Sequence, residues 1–99
     1  MVRHIVSWNF KPEIDEDQRQ VLRSQVVSSF HALKDNIPCL LEIRAHCPPL
    51  DSSNCDLVLY TEVAQLPDLK EYQDHPDHQA LIPLIRNHFT DRRCCDIAD

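Results

Sequence analysis

Not one of the 99 residues is glycine. Glycine enters left-handed and strained backbone conformations at no steric cost, so every tight turn here must be built from Asn, Asp, Pro or Ser. The same absence removes the phosphate cradles that need glycine, both the G-x-G-x-x-G turn and the P-loop, and nucleotide binding by those routes with them.

The order of elements follows from periodicity. Val2, His4, Val6, Trp8 and Phe10 alternate with Arg3, Ser7 and Asn9, which predicts a strand from about Val2 to Lys11, stopped by Pro12. Asp15 and Gln18 form a capping box for a helix whose apolar stripe is Val21, Leu22, Val26, Phe30 and Leu33. That helix is expected to end near Lys34, with Asp35-Asn36 as a left-handed exit and Pro38 forbidding continuation. Residues 39 to 47 read as a second strand, Leu41, Ile43 and Ala45 alternating with Glu42, Arg44 and His46. A loop over 48–54 leads to a third strand, 55–63, where Leu57, Val58 and Leu59 are apolar on both faces. Pro67 suits the first turn of a second helix through Leu69 and Tyr72. His75-Pro76 breaks it, His75 caps the restart, and the helix runs to about Asn87 with a kink at Pro83. A last strand spans about Asp91 to Ile97.

The β-α-β-β-α-β order predicts one α+β domain over residues 1–99: a ferredoxin-like, four-stranded antiparallel sheet with two helices on one face. Two helices cover one face only. The doubly apolar third strand therefore asks for cover on the other, and a second copy of the same sheet is the simplest source. Leu57, Leu59 and Val63 share a parity and are the candidates for that dimer face.

Charge and cysteine usage narrow the function. Ten Lys and Arg against 16 Asp and Glu leave a net charge of −6, and Arg92-Arg93 is the one close basic pair, so no basic stripe exists for nucleic acid. No apolar run reaches the ~20 residues of a bilayer span. The chain reads straight into a strand without a leader. Five cysteines, an odd number with no C-x-x-C pair and no zinc spacing, are expected as reduced, strand-packing thiols in a cytoplasmic protein.

Several segments carry a resemblance. Met1-Val2-Arg3-His4-Ile5-Val6, Phe10-Lys11-Pro12, Ala32-Leu33-Lys34-Asp35-Asn36-Ile37-Pro38 and Asp56-Leu57-Val58-Leu59 are similar to the stress-responsive A/B-barrel (Dabb) family, as is the ending Phe89-Thr90-Asp91-Arg92. The most specific segment is Tyr72-Gln73-Asp74-His75-Pro76-Asp77-His78. The resemblance implies a dimeric α+β barrel. Many such proteins have no assigned activity, some are linked to stress responses, and a plant branch cyclises polyketides with a Tyr and His that match Tyr72 and His78. The first-strand histidine of that branch matches His4, whereas its third-strand pocket histidine is replaced here by Asp56.

The candidate site follows from residues and resemblance together. His78 shares a stripe with Ile82, Ile85 and Phe89, pointing inward, where it serves as a general base or as a structural histidine beside the His75-Pro76 break. Tyr72 is either a phenolic acid and substrate anchor or a core aromatic. His4 shares the Trp8 and Phe10 face, so His4, Val6, Trp8, Asp56 and Ile82 are taken as the ligand pocket. His75 and His78, three apart, lack a third ligand, so neither a metal nor another cofactor is called for. His31, His46 and His88 read as surface residues. The expectation is a homodimer of unassigned activity with a small apolar ligand cavity per subunit. A cofactor-free enzyme, cyclase-like or monooxygenase-like and using Tyr72 and His78, is one alternative. A stress-related dimer that only binds a small hydrophobic or aromatic ligand is the other.

Overall fold

The computed structural model describes all 99 residues. Strand β1 (Val2–Phe10) is followed by helix α1 (Glu16–Asn36), β2 (Leu40–His46) and β3 (Leu57–Val63). Three short helices, α2 (Leu66–Asp74), α3 (Pro76–Gln79) and α4 (Ile82–His88), precede β4 (Phe89–Ala98). The antiparallel sheet has the order β2-β3-β1-β4, the split βαβ arrangement, with all helices on one face.

Strand β1 alternates without a fault: Val2, His4, Val6, Trp8 and Phe10 are buried and the residues between them half-buried. Its register with β3 pairs Trp8 with Leu57, Val6 with Leu59, His4 with Thr61 and Val2 with Val63. Leu57, Leu59 and Val63 therefore lie beneath the helices, fully buried in one subunit, and not on the face expected for a second copy. The sequence pattern defined their parity, but only pairing with β1 decides which face that parity occupies. The uncovered face carries Val58 and Tyr60 opposite Ser7 and Ile5.

Helix α1 begins at the Asp15–Gln18 capping box, with both reciprocal hydrogen bonds formed. Leu22, Val26, Phe30 and Leu33 are buried along it, each such residue contributing roughly 1.5–3 kcal/mol by leaving water. Val21 is 66% exposed and falls outside the stripe, because it lies about 100° around the helix from Leu22. The helix ends at Ile37 in extended backbone, and Asp35-Asn36 supply no left-handed exit. The one left-handed residue is Asp91 (φ 56°), near an irregularity where the β1–β4 register shifts between Ser7 and Asn9.

In β2 the register slips between Leu40 and Glu42, so Leu40, Ile43 and Ala45 are buried while Leu41 is left 48% exposed. The bulge replaces the simple alternation expected there. Strand β2 is an edge, and its outward Ala45 N–H donates to His31 Nε2 at 3.1 Å, which blunts that edge. His31 and His46 are exposed; His88 is half-buried, its Nδ1 2.8 Å from the Leu84 carbonyl.

The second helical segment breaks twice. At His75-Pro76 the His75 Nδ1 accepts from the Asp77 N–H at 3.1 Å, the expected cap. A second break falls at Ala80-Leu81, so Pro83 occupies the first turn of α4 instead of kinking one longer helix. A proline in a first turn costs no helical hydrogen bond, and that relieves the strain a kink would carry.

Candidate functional site

Between the broken helices and the sheet lies a cavity of about 400 Å³. Strand β1 contributes His4, Val6 and Trp8 to its lining, β3 Leu59, α1 Phe30, and α4 Ile82, Ile85 and Arg86. Gln73, His78, Gln79, Leu81 and Arg92 complete it. Its volume is within the ~300–1,000 Å³ typical of small-molecule sites. Gln79, Arg86 and Arg92 are exposed, so the open side lies between α3–α4 and β4.

Of the candidates from sequence, His4, Val6, Trp8, His78 and Ile82 share this cavity. Tyr72 does not line it. Its side chain is fully buried behind the wall, the His78 ring edge-on to it at 4.7 Å and the His4 ring at 6.5 Å. Asp56 is also outside the cavity. Its Oδ2 accepts the Phe10 N–H at 2.8 Å and its own N–H donates to the Trp8 carbonyl at 2.9 Å, so it closes the end of the β1–β3 ladder. The pocket role assigned to Asp56 is corrected on that ground: a carboxylate spent on a strand-end amide does not face the ligand space.

The polar groups differ in what they can do. Burial pushes the Tyr72 phenol up to about 12, so it stays un-ionised. The Thr61 hydroxyl opposes that shift, yet neither hydroxyl has a partner at hydrogen-bond geometry. The pair has room to gain a partner rather than one to lose. Burial, as the largest cause, holds His78 below its ordinary value, and the nearby His4 and Arg92 charges push the same way. The Gln73 carbonyl and Asp74 oppose. His78 is thus a neutral imidazole at pH 7, with Nδ1 buried and unpartnered.

His4 is 3% exposed and has a partner that no local pattern in the sequence announces. Its Nδ1 lies 2.5 Å from Asp96 Oδ1 across the β1–β4 register, where His4 and Asp96 are directly opposed. The carboxylate accepts a hydrogen bond from the His4 Nδ1–H, which fixes the orientation of the ring. Cys94 Sγ, two residues along β4, is 3.7 Å from the same Nδ1 and 3.6 Å from Asp96 Oδ1. Both neighbours use one nitrogen, so the three do not form a relay through the imidazole. Partial desolvation first, and Asp96 second, hold the Cys94 thiol above its ordinary range.

His4, Cys94 and Asp96 are also the one set of three potential ligand atoms that converge, all within 4.8 Å. Two ligands of a tetrahedral zinc stand roughly 3.3 Å apart, given bonds of ~2.0–2.2 Å. The 2.5 Å His4–Asp96 contact is a hydrogen bond and is too short for that geometry.

A split βαβ sheet with an apolar cavity under a broken second helix defines a ferredoxin-like domain with a small-molecule-sized site. The chain belongs to the stress responsive A/B barrel domain family, which it matches over residues 2–99. No curated protein matches it in sequence. Among solved structures it is similar to a dimeric protein of unknown function with a ferredoxin-like fold from Bacteroides fragilis, at 24% identity and TM-score 0.89, covering 97% of this chain and 93% of that one. A dimeric ferredoxin-like protein of unknown function from Thermobifida fusca has 26% identity and TM-score 0.81, covering 98% and 89%. An antibiotic biosynthesis monooxygenase shares the fold at 15% identity and TM-score 0.77, covering 100% and 98%. No helix is long and apolar enough to cross a membrane.

Proposed function

We propose that the protein works as a homodimer that holds a small, largely apolar molecule in the cavity of each subunit, and that this cavity supports cofactor-free acid–base chemistry. The observation that carries the reading is the meeting of two imidazoles, His4 and His78, beside the apolar side chains of Val6, Trp8, Phe30 and Leu59. His78 in its neutral form is the base, since a proton acceptor must be unprotonated at the working pH. Tyr72 acts from behind, holding the His78 ring edge-on and un-ionised itself. A cyclase-like proton abstraction is the enzyme chemistry that this pair fits; a monooxygenase shares the fold but supplies no further residue argument.

Dimerisation is supported by the uncovered face. Ile5 and Val58 lie half-buried there with Ile97 42% exposed at the edge, and two proteins with this fold are described as dimeric. A stable pair should bury on the order of 1,500 Å². Sedimentation should give twice the monomer mass, and Val58→Glu should return a folded monomer.

The site is tested by His78→Ala and Tyr72→Phe, comparing melting temperature with binding and turnover of small aromatic ligands. Loss of turnover in His78→Ala by about 10²–10⁴-fold, with the dimer intact, is the expected result. Lowered melting temperature in both variants with unchanged ligand affinity would reduce the two residues to structural parts.

A further inference from the structure

We propose that the cavity selects an anion: a small organic acid whose apolar body packs against Trp8, Phe30 and Leu59 while its carboxylate meets the guanidinium groups of Arg86 and Arg92. The inference rests on the cavity being a ligand site and names the class of molecule it takes.

The chain has 16 acidic residues among 99, yet none lines the cavity. Every charged or ionisable group on the wall is a base: His4, His78, Arg86 and Arg92. The two arginines come from different elements, Arg86 from α4 and Arg92 from β4, and neither enters an ion pair. Elsewhere Arg3, Arg23, Arg44 and Lys70 stand beside carboxylates, while Lys11, Arg19, Lys34 and Arg93 form no ion pair but do not line the cavity.

Two acids beside cavity-lining residues already have partners. Asp96 is held by His4 at 2.5 Å, and Asp74 by Lys70 at 2.6 Å. Two uncompensated cations therefore flank a recess in a molecule of net charge −6. Low-dielectric walls focus such a field, and a guanidinium fork matches the planar geometry of a carboxylate. His78 is held below its ordinary value first by burial, and the Arg92 charge adds to that in the same direction. An apolar wall with a cationic mouth orients an acid with its charge outward and its body inward.

Calorimetric titration of the intact protein with 1-naphthoate and its neutral isostere 1-naphthamide tests this directly. Naphthoate should bind about tenfold more tightly, since a charge-assisted contact replaces a neutral one. R86Q and R92Q, both at exposed positions, should each erase most of that preference, leave naphthamide binding unchanged and keep the melting temperature. High salt should weaken naphthoate alone. Equal affinity for acid and amide would overturn the anion proposal while the cavity reading stands. Binding of neither would overturn both. Conversion of dimer to monomer by R92Q would assign that arginine to the subunit interface and also overturn the proposal.

Discussion

Strands β1 and β4 lie side by side, nine and ten residues long, and present side chains to the same helix-facing surface, but they live in different environments. On β1 every second residue is buried; on β4 everything from Asp91 to Ala98 is exposed. The helices cover β2, β3, β1 and the first residue of β4, Phe89, and stop there. The polar cluster sits on the boundary, where His4 is the last covered group and Cys94 and Asp96 are the first uncovered ones. Partial cover is what allows a buried imidazole to keep a solvated carboxylate as its partner. A fully buried pair would carry the desolvation cost of both groups.

Val6 and Cys94 are direct partners in the ladder and give the largest contrast. Val6→Ala should cost about 2–3 kcal/mol through lost burial and a residual cavity, measured by urea unfolding. Cys94→Ala should stay within about 0.5 kcal/mol. A larger cost at Cys94 that disappears on dilution would mean that a partner subunit covers β4, and the comparison would then describe the monomer only.

Tyr72 tests the covered side by pH. Its folded value of about 12 lies above the ordinary 10.0, so the fold prefers the neutral phenol. That stability is complete below about pH 10 and is lost as pH rises toward 12, amounting to at most about 2–3 kcal/mol. Urea midpoints at neutral and alkaline pH should therefore fall further for the wild type than for Tyr72→Phe. Parallel curves would place the hydroxyl in contact with water. A smaller effect belongs to the His4 contact itself: Asp96→Asn should cost about 1 kcal/mol, because His4 keeps an amide acceptor in place of a carboxylate. A cost of zero would make the contact incidental.

How much of this was legible in the sequence depended on distance along the chain. The β1 alternation, the α1 capping box and the His75 cap are local, and each is present as expected. The face occupied by Leu57 and Leu59 was not legible, because parity is local and the partner strand is some fifty residues away. Asp96 and Cys94 escaped for the same reason. Only the antiparallel register that sets Val2 against Ala98 brings position 96 opposite His4, and counting inward from those two residues is the one signal that would have found it. Asp56 was assigned by resemblance, and its actual partner, the Phe10 amide, is a strand-end contact no motif encodes. Position 83 was read as a kink because proline marks where a helix is disturbed, and not whether it bends or begins again.

The outer wall of the cavity is made of three helices of nine, four and seven residues, opened by Pro67, Pro76 and Pro83. Helices shorter than ~12–15 residues do not hold themselves together in water, and α2 and α4 have no side-chain cap. Helix α1, with 21 residues and a complete capping box, has both supports. The wall therefore depends on what it packs against and opens locally at a lower free energy than the sheet behind it. If the cavity takes a ligand as proposed, fraying of this wall is a way in that needs no hinge between domains. A guest seated against Ile82 and Ile85 would supply the packing that the short helices lack, so occupancy and local order become a single equilibrium.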